Sequence, residues 1–221
     1  MLNLSEKKEQ AFISRNLISY FFPKSRIAEE FRKTRTTLQF SSKNKDCQSM
    51  LITSSSYGEG KTTCMINLGV SLAQLGKKVL IVDTDLRKPT LHRTFNRKTE
   101  EGLTTVLKGH ARLEEVIGHT GIKTLDILPS GPIPAYPAEL LSSQVMKRLM
   151  NQLKTVYDYI LYDTPPVLEV TDTSILVNQC DGVLLVTSYG KVSYKKVLEA
   201  KKVLELSEGK LLGTLLNRKP N

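Results

Sequence analysis

Two apolar patterns alternate along the chain. Short, almost wholly apolar runs read as buried strands: the run from Leu51, Val79-Leu80-Ile81-Val82, Leu125–Leu128, Tyr159-Ile160-Leu161-Tyr162, Gly182–Thr187 and Leu211–Leu216. Between them, apolar residues recur at helical spacing. Thr62–Leu75 carries Ile66, Leu68, Val70, Leu72 and Leu75, with Gly76 placed to cap its end. Ala138–Val156 carries Leu140, Leu141, Val145, Leu149 and Leu153, and Tyr194–Leu206 turns Lys195, Lys196, Lys201 and Lys202 to water. Shorter helices are predicted over Gly102–Gly109, over Leu113–Ile117 and around Ile175–Val177, and Pro129–Pro137 is a Pro/Gly-rich loop.

Ahead of the first strand, Ile27–Phe40 reads as a helix with Ile27, Phe31, Thr34 and Leu38 near one face. Glu29, Arg32 and Arg35 are spaced by three and line a second face, which the residues alone describe as a solvated charged surface with one internal ion pair. Residues 1–25 are mixed. Phe12, Ile13, Leu17, Ile18, Tyr20, Phe21 and Phe22 precede Pro23, and they form either a short amphipathic segment that docks or a loosely ordered arm. Strands alternating with helices predict an α/β fold, a mostly parallel sheet flanked by helices on both faces. A chain of 221 residues without repeat or linker predicts a single domain over 26–221 behind the arm at 1–25.

Composition narrows the setting. There is no apolar run of transmembrane length and no secretory h-region, so the expectation is a cytoplasmic protein. Cys47, Cys64 and Cys180 are odd in number and widely spaced, which predicts reduced thiols and no disulfide framework. The net charge of +10 comes from scattered basic residues without aromatic interleaving. That pattern excludes a nucleic-acid module and suits an anionic neighbour such as the inner face of a membrane.

The chemistry is concentrated where strands end. Leu51–Ser54 runs into Ser55-Ser56-Tyr57-Gly58-Glu59-Gly60-Lys61-Thr62-Thr63, a phosphate-binding P-loop with Ser55 at the first glycine position. Gly58 and Gly60 let successive N–H groups turn toward phosphate, Lys61 reaches the β- and γ-phosphates, and the Thr62 hydroxyl suits Mg²⁺. Asp83, Asp85 and Asp163 each follow a strand, where open α/β sheets bind ligands. A lone aspartate there is ordinarily a cap or turn residue. Three beside a P-loop point to a metal-assisted phosphoryl transfer with one carboxylate near the γ-phosphate as base.

These motifs resemble a known family. Gly58-Glu59-Gly60-Lys61-Thr62-Thr63, Val82-Asp83-Thr84-Asp85-Leu86-Arg87-Lys88-Pro89 and Tyr162-Asp163-Thr164-Pro165-Pro166 resemble the Walker A, A′ and B motifs of bacterial tyrosine kinases of capsular and exopolysaccharide synthesis. Glu29-x-x-Arg32-x-x-Arg35 is similar to that family's Glu-x-x-Arg-x-x-Arg motif, as are Gly102-Leu103 through Gly109 and Leu128–Pro132 through Leu141. The resemblance spans residues 25 to 218. It implies a P-loop fold of the MinD/ParA branch and ATP- and Mg²⁺-dependent phosphorylation of protein tyrosines. Lys61 and residues Ser56 to Thr63 would bind ATP, and Asn217 would recognise adenine. Thr62, Asp163, Asp83 and Asp85 would form the Mg²⁺ shell, with Asp83 as base and Lys61, Asp83 and Asp85 as the catalytic set. The role of Arg87 stays open.

The resemblance further implies a ring-forming homo-oligomer with Glu29, Arg32 and Arg35 at the subunit contact, and a transmembrane adaptor of the chain-length-determinant class that recruits the kinase to the inner membrane face. Family members usually end in a tyrosine cluster, whereas no tyrosine follows Tyr194 here. Tyr20, Tyr57, Tyr189 and Tyr194 are then the expected surface acceptors, and Tyr157, Tyr159 and Tyr162 packing residues. Two further readings compete: a MinD/ParA-type switch ATPase, disfavoured by Asp-x-Asp-x-Arg and by the lack of a lysine over Ser55–Glu59, and a nucleotide-gated scaffold without phosphotransfer.

Overall fold

A computed structural model describes residues 12–41 and 47–218; residues 1–11, which make up the start of the expected arm, lie outside the described residues. The elements run α1 (Ile18–Phe21), α2 (Arg26–Ser41), β1 (Ser49–Ser54), α3 (Lys61–Ala73), β2 (Val79–Asp83), α4 (Leu91–Thr94), α5 (Leu103–Leu107), α6 (Leu113–Val116), β3 (Gly118–His119), β4 (Leu125–Leu128), α7 (Pro137–Ser142), α8 (Gln144–Lys154), β5 (Tyr159–Asp163), α9 (Asp172–Val177), β6 (Gly182–Ser188), α10 (Tyr194–Leu206) and β7 (Leu211–Asn217).

The strands form one sheet in the order β3-β4-β2-β5-β1-β6-β7, parallel except for the short antiparallel β3 at one edge. β5 lies between β1 and β2, so the two strands joined by α3 are not neighbours. Side chains alternate across the pleat and feed two cores. Leu51, Leu80, Val82, Ile160, Tyr162, Val183 and Leu185 face α7 to α10 on one side. Met50, Ile52, Val79, Ile81, Leu161, Leu184 and Val186 face α3 on the other. Burying both faces explains why the strands read as continuous apolar runs rather than as alternating ones. Each fully buried Leu, Ile or Val contributes about 1.5–3 kcal/mol.

Three expectations change. First, the packed face of α2 is Ala28, Phe31, Arg35 and Leu38, not the face of Ile27, which is exposed. Arg35 therefore leaves the solvated stripe, and its guanidinium donates to the Ser71 carbonyl of α3 at 2.6 Å. Second, the helix expected across Ala138–Val156 is two helices. Ser143 is extended (ψ 153°), and its hydroxyl accepts from the Met146 N–H to start α8. Third, β3 is too short at two residues to leave an apolar signature.

The arm docks from residue 12 onward. Residues 12–16 are helical. Leu17 and Ser19 are buried against α3, whose Asn67 side chain donates to the Asn16 carbonyl (2.8 Å) and accepts from the Ser19 N–H (2.7 Å). Among the described residues no helix is long and apolar enough to cross a membrane.

Candidate active site

The parallel strands end on one edge of the sheet, and the P-loop caps it between β1 and α3. Gly58 (φ 77°) and Gly60 (φ 88°) occupy the left-handed region that the tight loop requires. A Cβ on Gly60 would collide with the Asn217 amide. Glu59 points inward, 1% exposed, and acts as the loop's internal strut. Its carboxylate accepts from Ser55 Oγ (2.7 Å), the Ser56 N–H (2.6 Å) and the Ser188 N–H (3.1 Å). The Ser56 N–H is therefore committed within the loop, whereas the buried Ser56 Oγ has no partner. An orphaned hydroxyl in such a loop is a donor waiting for an acceptor, and a phosphate oxygen meets that need.

Asp83 and Asp163 end adjacent strands in register with each other, which brings both carboxylates beside the P-loop. Lys61 Nζ lies between Asp85 Oδ2 (3.1 Å) and Asp163 Oδ1 (3.2 Å), and Thr62 Oγ1 donates to Asp163 Oδ2 (2.6 Å). One buried cation thus faces three buried carboxylates. Burial pulls the Lys61 pKa down, but Asp163, then Asp85 and Asp83, outweigh it and leave the pKa above the ordinary lysine value. Burial raises Asp83, and the Asp163 charge raises it further. Burial also raises Asp163, against the pull of Lys61 and Thr62. This excess of negative charge over an all-oxygen donor set suits a hard divalent cation. Among the described residues no three acidic, His or Cys side chains are arranged to hold a metal ion by themselves. Mg²⁺ needs none, because it binds through one or two protein oxygens plus phosphates and water.

Asp83 is not a free base in this state. Its Oδ2 accepts from the N–H groups of Thr90 and Leu91 (3.1 Å each) at the start of α4, and its Oδ1 from Asp85 N–H (3.3 Å). Arg87 forks onto Asp172 with Nε–Oδ2 at 2.8 Å and Nη2–Oδ1 at 3.0 Å, tying the loop after β2 to α9. Lys88 Nζ sits 4.1 Å from the Tyr57 ring centroid, a cation–π contact. Asn217 lies at the rim, but its Nδ2 donates to the Glu59 carbonyl (2.8 Å) and its Oδ1 accepts from Arg218 N–H. Thr63 Oγ1 donates to Asn16 Oδ1 (2.6 Å) in the arm.

The structure thus brings together Ser56 to Thr63, Asp83, Asp85, Asp163 and Asn217, and leaves Glu29, Arg32 and Arg35 apart on α2 beyond α3. Arg32 pairs with Glu29 at 2.6 Å, as the spacing predicts, and also donates to the Pro23 carbonyl. Among the tyrosines, Tyr20, Tyr189 and Tyr194 are exposed, but Tyr57 is half-buried under Lys88, so the expectation of a free surface acceptor there is corrected. Sequence reasoning missed Tyr136, 71% exposed in the Pro-rich loop, although its Pro-Ala-Tyr-Pro setting is itself a signal of an exposed extended segment. It also missed Asp172 and Lys191, whose contacts with the site carry no local signature.

A family profile described as an AAA domain matches residues 49–206. Tyrosine-protein kinase YwqD of Bacillus subtilis is 44% identical over 213 residues, covering 96% of this chain and 90% of that protein. The crystal structure of the chimerical protein CapA2B2 superposes with a TM-score of 0.90 at 40% identity, covering 93% of this chain and 91% of its own. The septum site-determining protein MinD from Pyrococcus horikoshii, complexed with Mg-ADP, follows at a TM-score of 0.66 and 30% identity, covering 77% of this chain and 70% of its own. The MinD likeness is one of P-loop architecture, whereas the YwqD likeness runs nearly end to end. The carboxylate-ringed P-loop and this relationship together place the chain in the bacterial tyrosine-protein kinase family.

Proposed function

We propose that this kinase uses ATP and Mg²⁺ at the P-loop to phosphorylate protein tyrosines in polysaccharide assembly. The observation that carries the site assignment is the convergence of Lys61, Thr62 and three buried carboxylates on one sheet edge. The N–H groups of Tyr57 to Thr63 would hold the nucleotide's phosphates, and Lys61 would leave its carboxylates for the β- and γ-phosphates. Thr62 and Asp163 would hold Mg²⁺, with Asp85 supporting its water shell. When bound, the ion neutralises charge on the phosphate oxygens.

Asp83 is the base in this reading. The tyrosine oxygen bonds to the γ-phosphorus, the bond to the bridging oxygen breaks, ADP leaves, and the phenolic proton passes to the Asp83 carboxylate. Burial raises the proton affinity of Asp83, the direction a base needs. The N–H groups of Thr90 and Leu91 hold Oδ2 in place, which leaves Oδ1, bonded only at 3.3 Å by Asp85 N–H, as the oxygen to take that proton. Asn217 retains one amide hydrogen with which to meet adenine at the rim.

Recruitment to the inner membrane face by a transmembrane adaptor follows from the motif resemblance and suits the charge of +10. The Glu29–Arg32 pair, exposed at Glu29 and half-buried at Arg32, is the part of α2 offered to a neighbouring copy, because Arg35 is committed to Ser71.

The test is transfer from Mg-ATP to a tyrosine polymer and to the chain itself, with and without an adaptor tail, read as phosphotyrosine by mass spectrometry. Lys61→Met is expected to lower transfer by at least about a thousandfold, and Asp83→Asn by about a hundred- to ten-thousandfold, with both variants folded. Free phosphate without phosphotyrosine from the adaptor-bound protein would favour a switch ATPase instead.

A further inference from the structure

In a trans peptide the carbonyl and the following N–H point opposite ways. A P-loop therefore presents N–H groups to phosphate only while the preceding carbonyls are held outward. Three side chains beyond the glycine-lysine stretch grip three such carbonyls. Ser54 Oγ donates to the Ser56 oxygen (2.7 Å), Lys191 Nζ to the Gly58 oxygen (3.1 Å) and Asn217 Nδ2 to the Glu59 oxygen (2.8 Å). The N–H groups that follow are those of Tyr57, Glu59 and Gly60. Lys191 comes from the loop between β6 and α10 and makes no ion pair among the described residues; its ammonium bonds to the Gly58 carbonyl. A Cβ on Gly58 would come within 2.8 Å of that ammonium, so position 58 is open to the lysine as well as to a positive φ. The end of β6 and this loop are fastened to the site twice more, by Ser188 N–H to Glu59 and Tyr189 N–H to the Asn217 carbonyl (2.8 Å).

We propose that Lys191 is a positioning residue for phosphoryl transfer: it sets the Gly58–Glu59 peptide so that the Glu59 N–H faces the diphosphate part of the nucleotide. The loop has no lysine of its own before Lys61, and Lys191 serves it from outside by holding a carbonyl. The proposal rests on the reading that the P-loop holds the nucleotide, and the experiment separates the two.

Mg-ADP and Mg-ATP are titrated into the full chain by calorimetry, for the wild type, Lys191→Met and Lys191→Arg. Removing a charge-assisted hydrogen bond at an exposed site is expected to weaken both nucleotides by about five- to tenfold in Lys191→Met. Lys191→Arg should restore most of the affinity, and the melting temperature without nucleotide should be unchanged in both. Unchanged affinity in Lys191→Met overturns the clamp. Loss for Mg-ATP alone also overturns it, since that pattern marks direct contact with the γ-phosphate. Failure of the wild type to bind either nucleotide overturns the P-loop reading beneath it.

Discussion

At the scale of single residues, Glu59 stands out because a buried carboxylate shapes a loop meant for anions. Its charge is dispersed into two backbone N–H groups and a hydroxyl, all of which point to it and away from the phosphate path. Glu59→Gln forces an amide NH₂ against donors. It should cost on the order of 2–3 kcal/mol in urea unfolding and weaken nucleotide binding in parallel, whereas a solvated glutamine would change neither. The P-loop and the three strand-end aspartates were legible in the sequence because their chemistry is local: glycines, Lys-Thr and an aspartate at the end of an apolar run. The N–H groups of Thr90 and Leu91 on Asp83, and Asp172 on Arg87, were not, because a hydrogen bond formed across 7 to 85 positions leaves no periodicity. Arg35 was misplaced for another reason: Ile27 outweighed the small Ala28 when the apolar face of α2 was read, and that shifted the face by one position.

At the scale of elements, the docked arm is the least obvious partner of the site. Asn67 on α3 is fully buried and spends its amide on Asn16, Ser19 and Thr63. Asn67→Ala leaves the Ser19 N–H and the Asn16 carbonyl unpaired. The arm should then lose protection, seen as at least about tenfold faster amide exchange over residues 17–22, with about 1–3 kcal/mol lost from global stability. Unaltered exchange there would mean that Leu17 alone holds the arm. The break at Ser143 was illegible because a serine between two apolar-spaced stretches fits a continuous helix as readily as an N-cap. The order of the strands was illegible too: runs buried on both faces carry no mark of which neighbour they take.

At the scale of the whole molecule, the edge opposite the site is fastened by Asp181. Its Oδ2 accepts from the N–H groups of Gln48 and Ser49 and from Ser49 Oγ, and its Oδ1 from Lys154, so β1, α8 and the entry to β6 meet there. Burial pushes its pKa up, but Lys154 and Ser49 outweigh this and hold it below the ordinary aspartate value. A carboxylate whose folded pKa lies below its unfolded one stabilises the fold above the unfolded value, and that contribution fades as the pH falls through the folded value. Asp181→Asn should therefore cost on the order of 1–3 kcal/mol at pH 7, and the gap to wild type should narrow below about pH 4 in denaturant titrations. A gap constant down to pH 2 would show that the ionised form contributes nothing.

The nucleotide cradle is closed by residues far along the chain: Ser188, Lys191 and Asn217 reach back 129, 133 and 158 positions to Glu59 and Gly58. On a ribosome the glycine-rich loop emerges more than a hundred residues ahead of the parts that shape it. A nascent chain stalled before β7 would carry the whole phosphate-binding motif without the amide that holds its Glu59 carbonyl. Nucleotide capture by this loop would then have to wait until β7 has been made and has paired with β6.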